Sequence, residues 1–210
     1  MSTNPNYFYA PSTIRNLLDR SINSVVENVN WYTKSPDIDF TRNRKINADT
    51  LIKFILSVTG KSMNSNLCDF FTLADDLPSQ SAMCQRRALL YPDAFRRVMR
   101  LFTDNMDNLK TFNGYYLLAC DGSDINVPYN PDDIEAFHPG NNDSRGYNQL
   151  HLNALYDVCN HIYQDIQIDT HTKKNETYAL EDLNLYTAKQ FAYGKAHDEK
   201  TAAVWKLEIK

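Results

Sequence analysis

An apolar run in the middle of the chain leads directly into carboxylates, and this order constrains the fold more than any other feature. Residues 115–120 are all apolar or aromatic, and Asp121-Gly122-Ser123-Asp124 follow at once. A short apolar run between turn-forming residues predicts a buried β-strand. Such a strand would deliver Asp121 to its end, where a carboxylate can serve as a metal ligand. The fold must therefore contain a sheet that presents this aspartate.

Two further segments predict strands beside the first. Residues 149–158 and 162–168 each alternate between apolar and polar side chains, which is the period of a strand with one apolar face. In the first segment the apolar face comprises Leu150, Leu152, Ala154, Tyr156 and Val158. Residues 127–133 and 138–143 are rich in Pro, Asn, Asp and Gly, and they predict turns and an exposed loop. We expect three successive strands in one sheet around Asp121.

Helical spacing dominates the first 110 residues. Between residues 12 and 29 the apolar side chains recur every three or four positions, which predicts an amphipathic helix. A second helix is expected to begin at Asn47 as its cap and to end at Gly60. Residues 66–72, residues 79–90 and the segment after Pro92 predict three more. This region should be all-helical with short connections.

The charge is distributed unevenly along the chain. The whole sequence of 210 residues has a net charge of −4. Residues 1–110 contain 14 Lys+Arg against 11 Asp+Glu, a balance of +3, and residues 111–210 contain 8 against 15, a balance of −7. A basic helical half suits a polyanion, and an acidic half suits a metal-dependent site, although imbalances of this size are also common on solvated surfaces.

Arginines cluster in the last two predicted helices of the basic half. The helices on either side of residues 75–78 resemble a helix-turn-helix, whose second helix would present polar and basic side chains to a DNA groove and its phosphates. Residues 86–100 contain five arginines and only one acidic residue, Asp93. The alternative is a helix whose arginines only solvate one face, and the two interpretations stand at about even odds. The predicted DNA-binding residues are Arg86, Arg87, Arg96, Arg97 and Arg100.

Several other classes of protein find no support in the sequence. The four cysteines include no C-x-x-C pair, and the five histidines do not cluster, so neither a zinc site nor a disulfide framework is indicated. No phosphate-binding glycine loop, nucleophile elbow or dinucleotide fingerprint is present. Without a signal peptide or an apolar span, we expect a cytoplasmic protein with no membrane partner.

Among the carboxylates, Asp121 is the best candidate for a metal ligand, because it follows the predicted central strand. From the residues alone, a turn aspartate is favoured over a ligand by about two to one. Asp124 is expected to belong to the turn. Three other aspartates lie on the later strands, and most of them are expected to be solvated edge residues: Asp157, Asp165 and Asp169.

Three blocks of sequence together resemble the DDE transposases of bacterial insertion sequences, in particular their fourth large family. These blocks are residues 118–128, residues 146–157 and residues 78–86, and the resemblance covers about residues 1–175. It implies a mobile-element protein for DNA transposition and recombination, with an RNase H-like catalytic domain that uses Mg²⁺. Asp121 matches the first catalytic and metal-binding aspartate. The implied partners are the double-stranded DNA of transposon ends and a second copy or a full-length transposase.

The chain departs from that family after residue 175. The family places a second catalytic aspartate at a later strand end and a glutamate on a helix beyond it, and residues 176–210 offer no matching motif. The acids available there are Glu176, Glu181, Asp182, Asp198 and Glu199. We therefore expect an apparently C-terminally truncated transposase, catalytically incomplete, so that enzymatic activity in this chain stays open.

The expected architecture is α+β. It comprises a helical DNA-binding region over residues 1–110, the first strands of an RNase H-like mixed sheet over residues 111–175, and an atypical tail over residues 176–210. Three functions remain in competition: a transposase fragment that binds DNA, a nuclease in which tail acids complete the metal site, and a stand-alone DNA-binding protein or inhibitory regulator of a full-length transposase.

Overall fold

The computed structural model describes residues 9–42, 44–72, 77–107, 109–113, 115–141 and 145–170, together with the backbone of two short strands near the end of the chain. The chain divides into two compact units, Met1–Asn105 and Met106–Lys210. The first is helical and the second is built on a sheet, which confirms the α+β class.

All five predicted helices are present in the first unit. In chain order they are α1 (Pro11–Glu27), α2 (Ala48–Ser57), α3 (Met63–Phe71), α4 (Gln80–Arg87) and α5 (Asp93–Asp104), and a 3₁₀ turn lies at Val29–Tyr32. The predicted cap of α2 is confirmed, because the Asn47 side chain accepts a hydrogen bond from the Thr50 backbone N–H at 2.8 Å. The helix ends at Ser57, before Gly60, so that glycine does not form its C-cap.

The core of the first unit draws on every helix. Ile22 and Val25 from α1 are almost fully buried with apolar side chains of the other four helices. Those side chains are Leu51, Ile52 and Phe54 from α2, Leu67 from α3, Met83 from α4, and Ala94 and Val98 from α5. The apolar periodicity in the sequence therefore identifies the faces that pack together, and their burial is what holds the short helices in place.

Six strands form the sheet of the second unit. They are β1 (Tyr115–Val127), β2 (Phe137–His138), β3 (Tyr147–Asp157), β4 (Ile162–Thr170), β5 (Phe191–Ala192) and β6 (Ala203–Glu208). The strand order is β2-β3-β1-β6-β5, and β4 also pairs with β3. Every pairing among the described strands is antiparallel, so the mixed pairing expected for this sheet does not occur within that part of the chain.

The two faces of this sheet differ from what the alternation in the sequence suggests. Leu150, Leu152, Ala154 and Tyr156 share one face of β3 as predicted, but they are only half-buried. The opposite face is the more buried one, and most of its β3 side chains are polar: His151, Asn153 and Asp157, with Leu155. The face of β3 that was predicted to be exposed is therefore the buried one.

None of the helices in the described ranges combines the length and the apolar character that a bilayer-spanning segment requires. The five acids of residues 176–210 that were candidates to complete a metal site lie outside the described residues.

Candidate functional site

Asp121 lies in the middle of β1 and not at its end. The strand continues to Val127, and Gly122, Ser123 and Asp124 pair with Asn153, Leu152 and His151 of β3. Both the predicted strand end and the alternative of a turn aspartate are therefore wrong. Turn-forming residues adopt the strand conformation here because pairing with a long neighbouring strand outweighs their weak local preference.

The Asp121 side chain is exposed on the less buried face of the sheet. Its partner across the ladder is Ala154, and its Oδ1 atom accepts a hydrogen bond from the Gly122 backbone N–H at 2.9 Å. Directly paired residues of neighbouring strands project to the same side, so the half-buried apolar residues of β3 surround this carboxylate. An exposed carboxylate with a small neighbour leaves room for a metal ion that keeps most of its water ligands.

The other carboxylates of β1, β3 and β4 lie on the face opposite to Asp121. Asp121 and its partner Ala154 project to one face, and the positions next to them on each strand project to the other. The other carboxylates pair with residues of that second face: Asp124 with His151, Asp157 with Leu118, Asp165 with Leu155, and Asp169 with His151. Within the residues that the structure describes, no three His, Cys, Asp or Glu side chains come together as a metal-binding group. The described strands thus do not place a second carboxylate beside Asp121.

Asp157 and Asp165 are buried, which corrects the expectation that they are solvated edge residues. Asp157 is 0% exposed and Asp165 is 1% exposed. The Asp157 carboxylate accepts hydrogen bonds from the backbone N–H groups of Cys159 and Asn160, both at 3.0 Å, and from Asn160 Nδ2 at 2.8 Å. These bonds hold the turn between β3 and β4, so Asp157 has a structural role.

Asp124 belongs to a side-chain pair that joins β1 to β3. His151 is 2% exposed, and its Nδ1 atom lies 2.8 Å from Asp124 Oδ1. His151 Nε2 and both polar atoms of the Asn153 side chain are buried without a hydrogen-bond partner among the described residues. The ring packs over Gly122, where a Cβ atom would lie 2.7 Å from Nε2. The buried His151 ring therefore connects β1 to β3 and is not accessible to a substrate.

The five predicted DNA-binding arginines lie on α4 and α5. Arg87 on α4 and Arg97 on α5 are exposed, whereas Arg96 and Arg100 on α5 are partly buried. The two helices are consecutive in the chain and are connected by residues 88–92. The region thus carries exposed positive charge on two consecutive helices.

Arg86 differs from the other four because its guanidinium group is used inside the unit. Its Nε donates a hydrogen bond to the Ile46 carbonyl oxygen at 3.0 Å, and its guanidinium carbon lies 4.5 Å from the centroid of the Phe40 ring. Burial lowers the pKa of Arg86, and the positive charge of Arg44 lowers it further. This side chain therefore organises the connection between α1 and α2 that passes beside α4.

The sequence interpretation missed two arginines that lie beside Arg86. Arg42 and Arg44 line a pocket together with it. A signal was present, because Arg42, Arg44 and Lys45 place three basic side chains within four positions.

Comparison with known proteins found no matching family model, no matching curated protein and no matching solved structure.

Proposed function

We propose that this chain is a DNA-binding protein of the DDE-transposase type, and that its helical unit binds double-stranded DNA. The observation that carries the proposal is the exposure of Arg87 and Arg97 on two consecutive helices within a region that contains a single acid over residues 86–100. Exposed arginines can each contact a phosphate of the DNA backbone and release its counterion. Ser79 supports this arrangement, because it caps the N-terminus of α4 and fixes where the helix begins.

The sheet unit supports the transposase part of the proposal more weakly. Strands β1, β3 and β4 form consecutive antiparallel pairs, and Asp121 is exposed on β1, as an RNase H-like domain of this type would need. Asp121 would supply one oxygen ligand to Mg²⁺, an ion that commonly takes only one or two protein carboxylates. When bound, the ion would polarise a phosphoryl oxygen and activate water. Because β1, β3 and β4 bring no second acid next to Asp121, we propose DNA binding rather than cleavage as the activity of this chain.

Binding can be tested by titrating a fluorescent duplex with the full chain and with the variant Arg87→Ala/Arg97→Ala. The variant should bind about tenfold or more weakly, because two phosphate contacts are removed. Arg15→Ala/Arg20→Ala is the control, since it removes two exposed arginines of α1 with the same change in net charge. An equal loss of affinity in both variants, or no salt-sensitive binding by the unaltered chain, would contradict the proposal. Arg86 is left unaltered because it makes internal contacts.

Catalysis is tested separately with a supercoiled plasmid in the presence and absence of Mg²⁺. We expect the chain to bind the plasmid without cutting it. Magnesium-dependent cleavage that is abolished by Asp121→Asn but not by Asp132→Asn, an exposed aspartate of the loop before β2, would instead identify this chain as an active nuclease.

A further inference from the structure

A pocket of about 470 Å³ lies in the helical unit between the connection that follows α1 and the side chain of Arg86. Three arginines line it, Arg42, Arg44 and Arg86, together with the acids Asp37 and Asp39. Its walls therefore carry one more positive than negative charge.

Arg86 is held in a fixed position within this pocket. Its Nε donates a hydrogen bond to the Ile46 carbonyl oxygen and its guanidinium carbon lies over the Phe40 ring, and both contacts restrain the guanidinium group. Its Nη2 atom is buried and has no hydrogen-bond partner among the described residues. A buried guanidinium nitrogen without an acceptor is costly, so an acceptor oxygen that reaches Nη2 after a small movement of the pocket lining would lower that cost.

The two acids of the pocket already accept other hydrogen bonds. Asp39 Oδ2 accepts from the Ser35 backbone N–H at 2.9 Å, and Asp37 Oδ1 accepts from Asn30 Nδ2 at 2.6 Å. Arg44 is the positive charge that opposes the charge of Arg86 most, and it lowers the pKa of Arg86. The negative charge of Asp39 acts in the opposite direction and raises that pKa, so it offsets part of the repulsion between the two arginines. The three guanidinium groups still exceed the two carboxylates by one charge, which favours the entry of an anion.

We propose that this arginine pocket, defined by Arg42, Arg44 and Arg86, binds a phosphate group. Arg86 supplies a rigid donor, and the exposed Arg42 and Arg44 supply two further guanidinium groups that can close over the anion. A phosphate fits better than a carboxylate, because it offers more acceptor oxygens and a larger charge to three guanidinium groups. The pocket is larger than one phosphate ion, so it can also admit the group to which the phosphate is attached.

The test is calorimetric titration of the full chain with inorganic phosphate at constant ionic strength. We expect saturable binding, and about a tenfold or greater loss of affinity in Arg42→Ala/Arg44→Ala, because two charge-assisted contacts are removed. The control variant Arg15→Ala/Arg20→Ala has the same net charge as the pocket variant but an intact pocket. It should therefore bind phosphate with an affinity within about twofold of that of the unaltered chain. If Arg42→Ala/Arg44→Ala fails to fold, Arg42→Gln/Arg44→Gln takes its place.

Two outcomes would overturn the phosphate site: an unaltered chain that shows no saturable binding, and an equal loss in the pocket variant and the α1 control. A competition experiment then identifies the source of the phosphate. Inorganic phosphate that displaces duplex DNA from the unaltered chain but not from the pocket variant would support a phosphate of the DNA backbone. Phosphate binding without such competition would support a small phosphate-bearing ligand. Because the pocket is tested with phosphate alone, its failure is distinguishable from failure of DNA binding through Arg87 and Arg97.

Discussion

Gly122 of β1 leaves no room for a side chain. A Cβ atom at this position would lie 2.7 Å from His151 Nε2 and 2.9 Å from His151 Cε1, and the ring is almost fully buried. The ring cannot move outward without losing its hydrogen bond to Asp124. We expect Gly122→Ala to lower the free energy of unfolding by about 1–3 kcal/mol, as overpacking of a filled site does. Urea unfolding followed by circular dichroism measures the change.

Gly60 provides the control for this substitution, because no atom lies within 4 Å of the Cβ that an alanine would add there. Gly60→Ala should change the free energy of unfolding by less than about 1 kcal/mol. If Gly122→Ala lowered the free energy of unfolding no more than Gly60→Ala does, the His151 ring would not pack closely against β1 at Gly122.

The buried acids show where single residues escape prediction from sequence. The alternation along β3 correctly divides its residues between two faces, but the apolar set was expected to be the inner one. Asp157 is fully buried because the turn that follows β3 offers it three donors, and this compensation depends on Asn160 and on backbone groups that no periodicity reveals. A polar inner face is therefore visible only once the turn and the neighbouring strands are in place.

Helices were predicted more accurately than strands at the level of single elements. All five helices occur where apolar spacing predicts them, but their bounds differ by a few residues. Helix α2 ends at Ser57 instead of Gly60, α3 begins at Met63 instead of residue 66, and α4 ends at Arg87 instead of residue 90. Helix signals are local, since they depend on residues three or four positions apart. The extent of β1 depends on its pairing with β3, whose residues lie far away in sequence, and so Asp121 was placed at a strand end that does not exist.

The N-cap of α2 can be tested as an element on its own. Asn47→Ala removes the acceptor for the Thr50 backbone N–H, and we expect it to lower the free energy of unfolding by about 1 kcal/mol. Asn47→Asp keeps a side-chain oxygen at the cap and should cost little. Thermal unfolding of both variants checks this. If both variants lost the same free energy of unfolding, the side-chain oxygen at position 47 would not be what stabilises α2.

At the scale of the whole molecule, the sequence predicted a helical half and a sheet half, and the structure divides the chain between Asn105 and Met106. The division was predictable because the apolar period changes from helical to strand spacing near residue 110. The arginine pocket was not predictable in the same way. It combines Arg42 and Arg44 with Arg86 from a distant helix, and such a combination requires the tertiary fold.

The measurement that tests the central claim most directly is the dependence of duplex affinity on salt concentration. If Arg87 and Arg97 each contact a phosphate, the logarithm of the binding constant should fall linearly with the logarithm of salt concentration for the unaltered chain. Arg87→Ala/Arg97→Ala should reduce the magnitude of that slope by about 2, because each lost contact removes about one released counterion. Arg15→Ala/Arg20→Ala should leave the slope unchanged. A slope that is the same in the unaltered chain and in Arg87→Ala/Arg97→Ala would contradict the assignment of DNA binding to α4 and α5.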